Sequence, residues 1–447
     1  MPSTLKRSRR RELTLTRSFT NAIQSKIHPP DRPRPAVDIR ARDVFLTDRT
    51  NTQASRQSSQ AQLVPRNDRK FSLSIKRQRH PIHALPRELL GYIFLIESHG
   101  DFMLPVTMSH VCRSWRIIAL HTPSLWRRVT LTPRLDMWAE RIARAKSCLL
   151  DIELLPWSHP LSRPLFLDVN TVQWYMHLVA PHIGRCRSLR ISFSNYAPYL
   201  WNGALSVCCR SDSSVYATNL EELVLNYEAN DDAKEFTLFS GVAPRLRRVS
   251  LDGIRLTWLS SLFRNITYLD YTHRGFTKGH AAVYEVLHML QVSNRLQDLR
   301  ICFPSQKKEI LYLPKHPLPE GVICMPDLMH LHLRVDGADI PSEMCSLLNQ
   351  LTFPSLSSLN LIDLRRSPKP FARLSYFFQG IRLPYLSLKS LRLENGWFNA
   401  RMTRSLIHAM YGLQQVEVQG ASASELFVPG FTVRRWDQGG FFAERGA

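Results

Sequence analysis

The chain is predicted to be an α/β protein. A small helical module is followed by an irregular array of stacked strand-and-helix repeats, and a basic tail without a core precedes both. Three observations carry this. Apolar residues recur at helical spacing over 80–130. A triplet with the pattern apolar-x-x-apolar-x-apolar returns nine times after residue 180. Residues 1–79 contain no Trp, Tyr or Cys and no lasting periodicity. A chain of 447 residues with 44% hydrophobic content has room for two or three domains with real cores.

The tail, 1–79, is predicted to be disordered. Pro29, Pro30, Pro33 and Pro35 cluster, and 51–62 is rich in Ser, Gln and Thr. Such a segment buries too little apolar surface to offset the entropy of ordering it. It also holds most of the charge. Residues 1–80 carry 19 Lys+Arg and 6 Asp+Glu, or +13 of the total +22. Two basic clusters stand out, Lys6-Arg7-Ser8-Arg9-Arg10-Arg11 and Lys76-Arg77-Gln78-Arg79. They fit nuclear import, non-specific contact with nucleic acid, or a merely solvated tail. The first 27 residues hold one acid, Glu12, among many Arg, Ser and Thr, so a mitochondrial presequence stays open.

The module over 80–130 begins at Pro86, which suits a first helical turn because it has no N–H to leave unpaired. Leu85, Leu89 and Ile93 fall four apart, and so do Leu90 and Phe94. Two adjacent stripes are more apolar surface than one short helix can hide by itself. Met108, Val111, Cys112, Trp115 and Ile118 continue the spacing after Pro105, and Pro123 can start a short turn carrying Trp126. A unit of this size buries little core unaided. Two apolar faces therefore point to docking.

The segment resembles an F-box. The resemblance rests on three linked pieces: Leu85-Pro86-x-Glu88-Leu89-Leu90-x-x-Ile93-Phe94, then Val111-Cys112-Arg113-x-Trp115-Arg116, then Pro123-x-Leu125-Trp126. It implies docking to the small Skp-type adaptor of a cullin–RING ubiquitin ligase. The implied contact residues are Leu85, Pro86, Leu89, Leu90, Ile93, Phe94, Val111, Cys112, Trp115 and Trp126.

Residues 131–180 are read as a connecting and capping segment. Val129-Thr130-Leu131 and Leu150-Asp151-Ile152-Glu153-Leu154 alternate like strands. From 181 to 447 the triplets follow: Cys186/Leu189/Ile191, Leu220/Leu223/Leu225, Leu246/Val249/Leu251, Ile266/Leu269/Tyr271 and Leu296/Leu299/Ile301. Leu328/Leu331/Leu333, Leu356/Leu359/Leu361, Leu388/Leu391/Leu393 and Leu413/Val416/Val418 complete them. Successive copies start 20 to 34 residues apart. One such strand cannot hide its apolar side, whereas stacked neighbours form a continuous core.

This region resembles the leucine-rich repeats of F-box proteins in degenerate form. The Asn or Cys expected three residues after the last apolar position is replaced by Glu228, Ile254, Asp336, Leu364 or Gly396. A ladder of buried Asn is thus not expected, and curvature and register should be irregular. Residues between the inward positions should point to the concave side and meet a target protein: Arg190, Val224, Ser250, Asp270, Arg300, His332, Asn360, Arg392 and Glu417. Their mixed chemistry suits a specific protein better than the basic stripe a nucleic acid favours.

No glycine-rich phosphate loop, Gly-x-Ser-x-Gly elbow or His-Glu-x-x-His motif occurs. The eight cysteines have no Cys-x-x-Cys spacing, and their scatter fits reduced core thiols. His330 and His332 share a strand face without a third ligand, so neither a metal nor a cofactor is expected. The apolar run from Leu89 to Ile96, broken by Gly91, is far short of the ~18 residues that span a bilayer. The expected protein is a non-catalytic substrate adaptor in the cytoplasm, the nucleus or both. Two alternatives stand beside it: an F-box scaffold acting outside a ligase, and a nucleic-acid-associated protein using its basic tail.

Overall fold

In the computed structural model the described residues are 82, 85–131, 135–155, 167–209, 216–304, 321–367, 369–381, 387–419, 431–435 and 440–445. By its contacts the chain divides into Met1–Arg77 and Gln78–Ala447. The predicted basic tail, 1–79, lies outside the described residues.

The module opens with α1 (Arg87–Glu97), capped by Pro86, then α2 (Leu104–Val111) with Pro105 in its first turn, and α3 (Arg113–His121). Met108 to Ile118 was expected to run as one helical stretch. Cys112 breaks it: its backbone is extended, at φ −158° and ψ 167°, and its carbonyl accepts the Arg116 N–H that starts α3. A 3₁₀ turn, Pro123–Trp126, closes the module, and the Trp126 indole donates to the Ala119 carbonyl at 2.8 Å. Phe94 packs on Trp115 with ring centroids 4.9 Å apart.

The remainder alternates strands with short helices. It runs β1 (Arg128–Thr130), α4 (Leu135–Arg144), β2 (Leu150–Leu154), α5 (Val169–Val179), β3 (Cys186–Phe193), α6 (Leu200–Leu205) and β4 (Glu222–Tyr227). Next come β5 (Glu235–Phe236), β6 (Arg248–Asp252), β7 (Arg255–Leu256), α7 (Ser260–Phe263), β8 (Tyr268–Thr272), α8 (His280–Val292) and β9 (Asp298–Pro304). Then follow β10 (Ile323–Cys324), β11 (His330–Asp336), α9 (Ser342–Leu348), β12 (Leu351–Thr352), β13 (Ser358–Asp363) and α10 (Leu374–Gly380). The last elements are β14 (Ser390–Glu394), α11 (Ala400–Ala409), β15 (Gln415–Gln419), β16 (Phe431–Arg435) and β17 (Gly440–Arg445).

Among the described residues thirteen strands form one sheet in the order β1-β2-β3-β4-β6-β8-β9-β11-β13-β14-β15-β17-β16. It is parallel from β1 to β15, and only the β15–β17–β16 edge is antiparallel. β1 and β2 are its first two strands, so the sheet begins inside the stretch read from sequence as the helical module. Sequential order along a parallel sheet follows from connections long enough to return on one side.

Register explains the triplets. Leu189, Leu223, Val249, Leu269, Leu299, Leu331, Leu359, Leu391 and Val416 lie in one line across the strands, and the third members lie in a second line two residues on. All three positions of all nine copies are buried, none more than 3% exposed. The helices add their apolar faces to the same core, as Val283, Val286, Leu287 and Leu290 of α8 do. Where the Asn was missing, one acid supplies a local substitute. Asp363 is buried and accepts the N–H groups of Arg365, Ser367 and Gly396, joining two neighbouring repeats.

Gly253 shows how closely the repeats approach. It has φ +68°, its carbonyl accepts the Trp201 indole and the Asn230 amide, and a Cβ there would lie 2.0 Å from the Tyr227 carbonyl oxygen. Gly253→Ala is therefore expected to cost about 2 kcal/mol or more, through positive-φ strain plus a backbone clash. Denaturant unfolding of the variant checks this, and an unchanged midpoint would refute the packing described.

Candidate functional site

Two surfaces hold the residues that the sequence singled out. The first is α1. Its two stripes have opposite fates. Leu90 and Phe94 are 4% and 2% exposed, packed against α3 and the closing turn, while Leu89 and Ile93 are 51% and 49% exposed. Tyr92 and Ile96 extend the exposed stripe, at 62% and 55%. Residues 89, 92, 93 and 96 follow the i, i+3, i+4, i+7 spacing that puts side chains on one helix face. Leu85 and Pro86 at the head of α1, Val111 at the end of α2 and Ile117 on α3 are exposed as well. A run of large apolar side chains on one helix is the kind of patch that marks an interaction site.

The ten residues read from sequence as contacts therefore divide. Leu85, Pro86, Leu89, Ile93 and Val111 are exposed, and Cys112 and Trp115 are half-buried. Leu90, Phe94 and Trp126 lie in the interior of the module, at 4%, 2% and 1% exposure. Tyr92, Ile96 and Ile117 are exposed apolar residues that the sequence reading did not single out. Tyr92 and Ile96 continue the Leu89 and Ile93 face of α1 by steps of three, and Ile117 stands on α3.

The second surface is the open side of the sheet. Arg190, Val224, Ser250, Asp270, Arg300, His332, Asn360, Arg392 and Glu417 stand in a single line, each aligned with the next across a parallel ladder. Arg190 is the exposed member and the other eight are half-buried. The row is less free than a solvated strand face, because its charges are internally paired. Arg190 meets Glu222 at 2.7 Å, Arg300 meets Asp298 at 3.3 Å, and Arg392 meets Glu394 at 2.6 Å and Glu417 at 3.2 Å. Arg334 pairs with Asp270. The Tyr268 ring lies beneath Arg248 at 4.1 Å and Arg300 at 5.2 Å, within cation–π range. Burial pushes the Asp270 carboxyl up despite its arginine.

His332 has its pKa pulled down to about 4, first by burial and then by the nearby Arg300. Its Nε2 lies 3.4 Å from the Asn360 amide and 3.7 Å from Asp298. The imidazole is thus neutral at pH 7 in the folded chain. An unfolded chain takes up its proton near the ordinary value of about 6.5. Unfolding then binds more protons, so the His332 contribution is intact above about pH 6.5 and is lost as pH falls toward 4. Wild-type protein is expected to lose more stability over that window than His332→Gln, measured by urea unfolding at each pH. Parallel curves would contradict this assignment.

All eight cysteines are free thiols, and burial raises the pKa of Cys186 to about 12 and of Cys302 and Cys345 to about 11. Thiols held this far above neutral pH are poor nucleophiles. Among the described residues no group of three or more His, Cys, Asp or Glu is placed to hold a metal ion, and no helix is long and apolar enough to cross a membrane.

A comparison with protein families matches residues 82–132 to the F-box-like family. A comparison with curated proteins finds no match. The match begins just before the head of α1 and ends just after β1, so it covers the module bearing the exposed stripe. Residues 82–132 are an F-box-like domain, a type of protein-interaction module that generally binds Skp-type adaptors.

Proposed function

We propose that this chain is a substrate-recognition adaptor of a cullin–RING ubiquitin ligase. The F-box-like domain docks to the Skp-type adaptor, and the open face of the sheet holds a target protein for ubiquitin transfer. One observation carries the reading. Inside a matched F-box-like domain, α1 spends one apolar stripe on the core and leaves a second, Leu89/Tyr92/Ile93/Ile96, on the surface. We also infer that 181–447 is a degenerate leucine-rich-repeat solenoid, a reading supported by nine buried triplets in one parallel register. Catalysis then belongs to other subunits, and this chain needs no active site.

The open face suits a protein target on physical grounds. Its arginines and carboxylates alternate and are already paired, so a partner gains by matching a fixed pattern of donors and acceptors. Such complementarity selects partners more than it adds raw affinity. Mixing the purified full-length chain with a Skp-type adaptor and a cullin tests the function. A stoichiometric ternary complex is expected. Binding of the adaptor without the cullin would favour a scaffold acting outside a ligase, and binding of neither would refute both readings.

A further inference from the structure

Arg141 on α4 is the least explained charge among the described residues. It is 1% exposed. Its Nη1 donates to the Arg128 carbonyl at 3.2 Å, its Nη2 donates to the Phe102 carbonyl, and its Nε has no partner. Phe102 and Trp126 flank it at 5.6 and 5.7 Å. Burial brings its pKa down to about 10, and the nearby Asp101 carboxylate offsets this only in part. A buried charge is costly unless it is paired.

Arg141 lines a cleft between the F-box-like domain and the first strands of the sheet. Arg127, Arg128, Arg187 and Arg190 line it too, facing Asp151, Glu153 and Glu222. Five guanidiniums thus meet three carboxylates, a surplus of two positive charges. The three acids are fully engaged. Asp151 accepts both forks of Arg187 and lies 3.4 Å from Arg127, Glu153 accepts from Arg128 and Thr130, and Glu222 accepts from Arg190 and Ser188. None of these three carboxylates accepts a hydrogen bond from Arg141, whose guanidinium donates to backbone carbonyls.

We propose that this cleft is a binding site for a phosphate group, free or carried on a larger ligand, recognised by Arg141 and Arg190. A phosphate dianion matches the surplus of two charges, and guanidinium groups suit its oxygens in geometry as well as charge. A single carboxylate would neutralise half as much. Because Ser98, His99 and Arg127 belong to the F-box-like domain and Arg187 and Arg190 to β3, an occupied cleft would join that domain to the sheet.

The test uses the full chain, titrated with inorganic phosphate at constant ionic strength set by sodium chloride. Isothermal calorimetry and thermal unfolding are read together. Saturable phosphate binding with a rise in melting temperature is expected. Arg190→Gln should weaken phosphate binding by at least about tenfold, the scale of one charge-assisted hydrogen bond. Its melting temperature without phosphate should stay close to wild type, because Arg190 is exposed and Glu222 keeps Ser188 and Arg248 nearby. Arg141→Met should abolish binding. If that variant unfolds, Arg190→Gln still decides the matter. O-phosphoserine forms a parallel arm: tighter binding than inorganic phosphate assigns the group to a larger ligand, and equal or weaker binding assigns it to the free ion. Phosphate acting no differently from chloride, or Arg190→Gln titrating like wild type, would overturn the proposal.

Discussion

Leu331→Ala is expected to cost about 2–5 kcal/mol of stability, while His332→Ala, one residue along, costs no more than about 1 kcal/mol at pH 7. The contrast follows from strand alternation. Leu331 is fully buried and aligned between Leu299 and Leu359 in the inner line of the sheet. Removing its branched end leaves a void that flanking strands, held by ladder hydrogen bonds on both sides, cannot close. His332 points to the open side, where Asn360 and Asp298 are its polar neighbours and one of them is held by Arg300 regardless. Guanidinium unfolding of the two variants beside wild type checks both numbers. Equal losses would mean that the strand faces the other way, and the open-face row would then be misassigned along all nine strands.

That row was legible in the sequence because period-two alternation fixes both faces at once. When Leu-x-x-Leu-x-Leu places Leu328, Leu331 and Leu333 inward, His332 has to point out, and repetition sets its neighbours as Arg300 and Asn360. The pairing of the row was not legible. Arg334 reaches Asp270 across two strands, and no local spacing links positions 64 residues apart. On α1 the two apolar stripes were visible, but helical period alone cannot rank them. The choice is made by what packs on the helix, namely Ile118 and Leu125 with Trp126 from beyond it. Arg141 was invisible for the same reason: on α4 it reads as one charge among several, and only the carbonyls of Phe102 and Arg128 show it to be inside.

The larger functional effect belongs to the exposed stripe of α1. Leu89 and Ile93 are about half exposed and share one helix face with Tyr92 and Ile96. Burying a leucine or isoleucine side chain is worth about 1.5–3 kcal/mol. Aspartate at such a site loses that gain and adds a charge that must be stripped of water. Two aspartates on one helix face should therefore weaken docking by about a thousandfold or more, the equivalent of at least ~4 kcal/mol. Folding should be nearly unaffected, because neither side chain belongs to the core. The same change at Leu90 or Phe94 would unfold the module and say nothing about docking.

The most direct measurement is the affinity of the Skp-type adaptor for the full-length chain carrying Leu89→Asp with Ile93→Asp, set beside wild type and Leu331→Ala. The expected result is loss of adaptor binding in the double variant with an unchanged unfolding midpoint, and retained binding in Leu331→Ala wherever that protein remains folded. Wild-type affinity in a folded Leu89→Asp, Ile93→Asp protein would contradict the account, because it would leave the uncovered stripe of α1 without a role in docking.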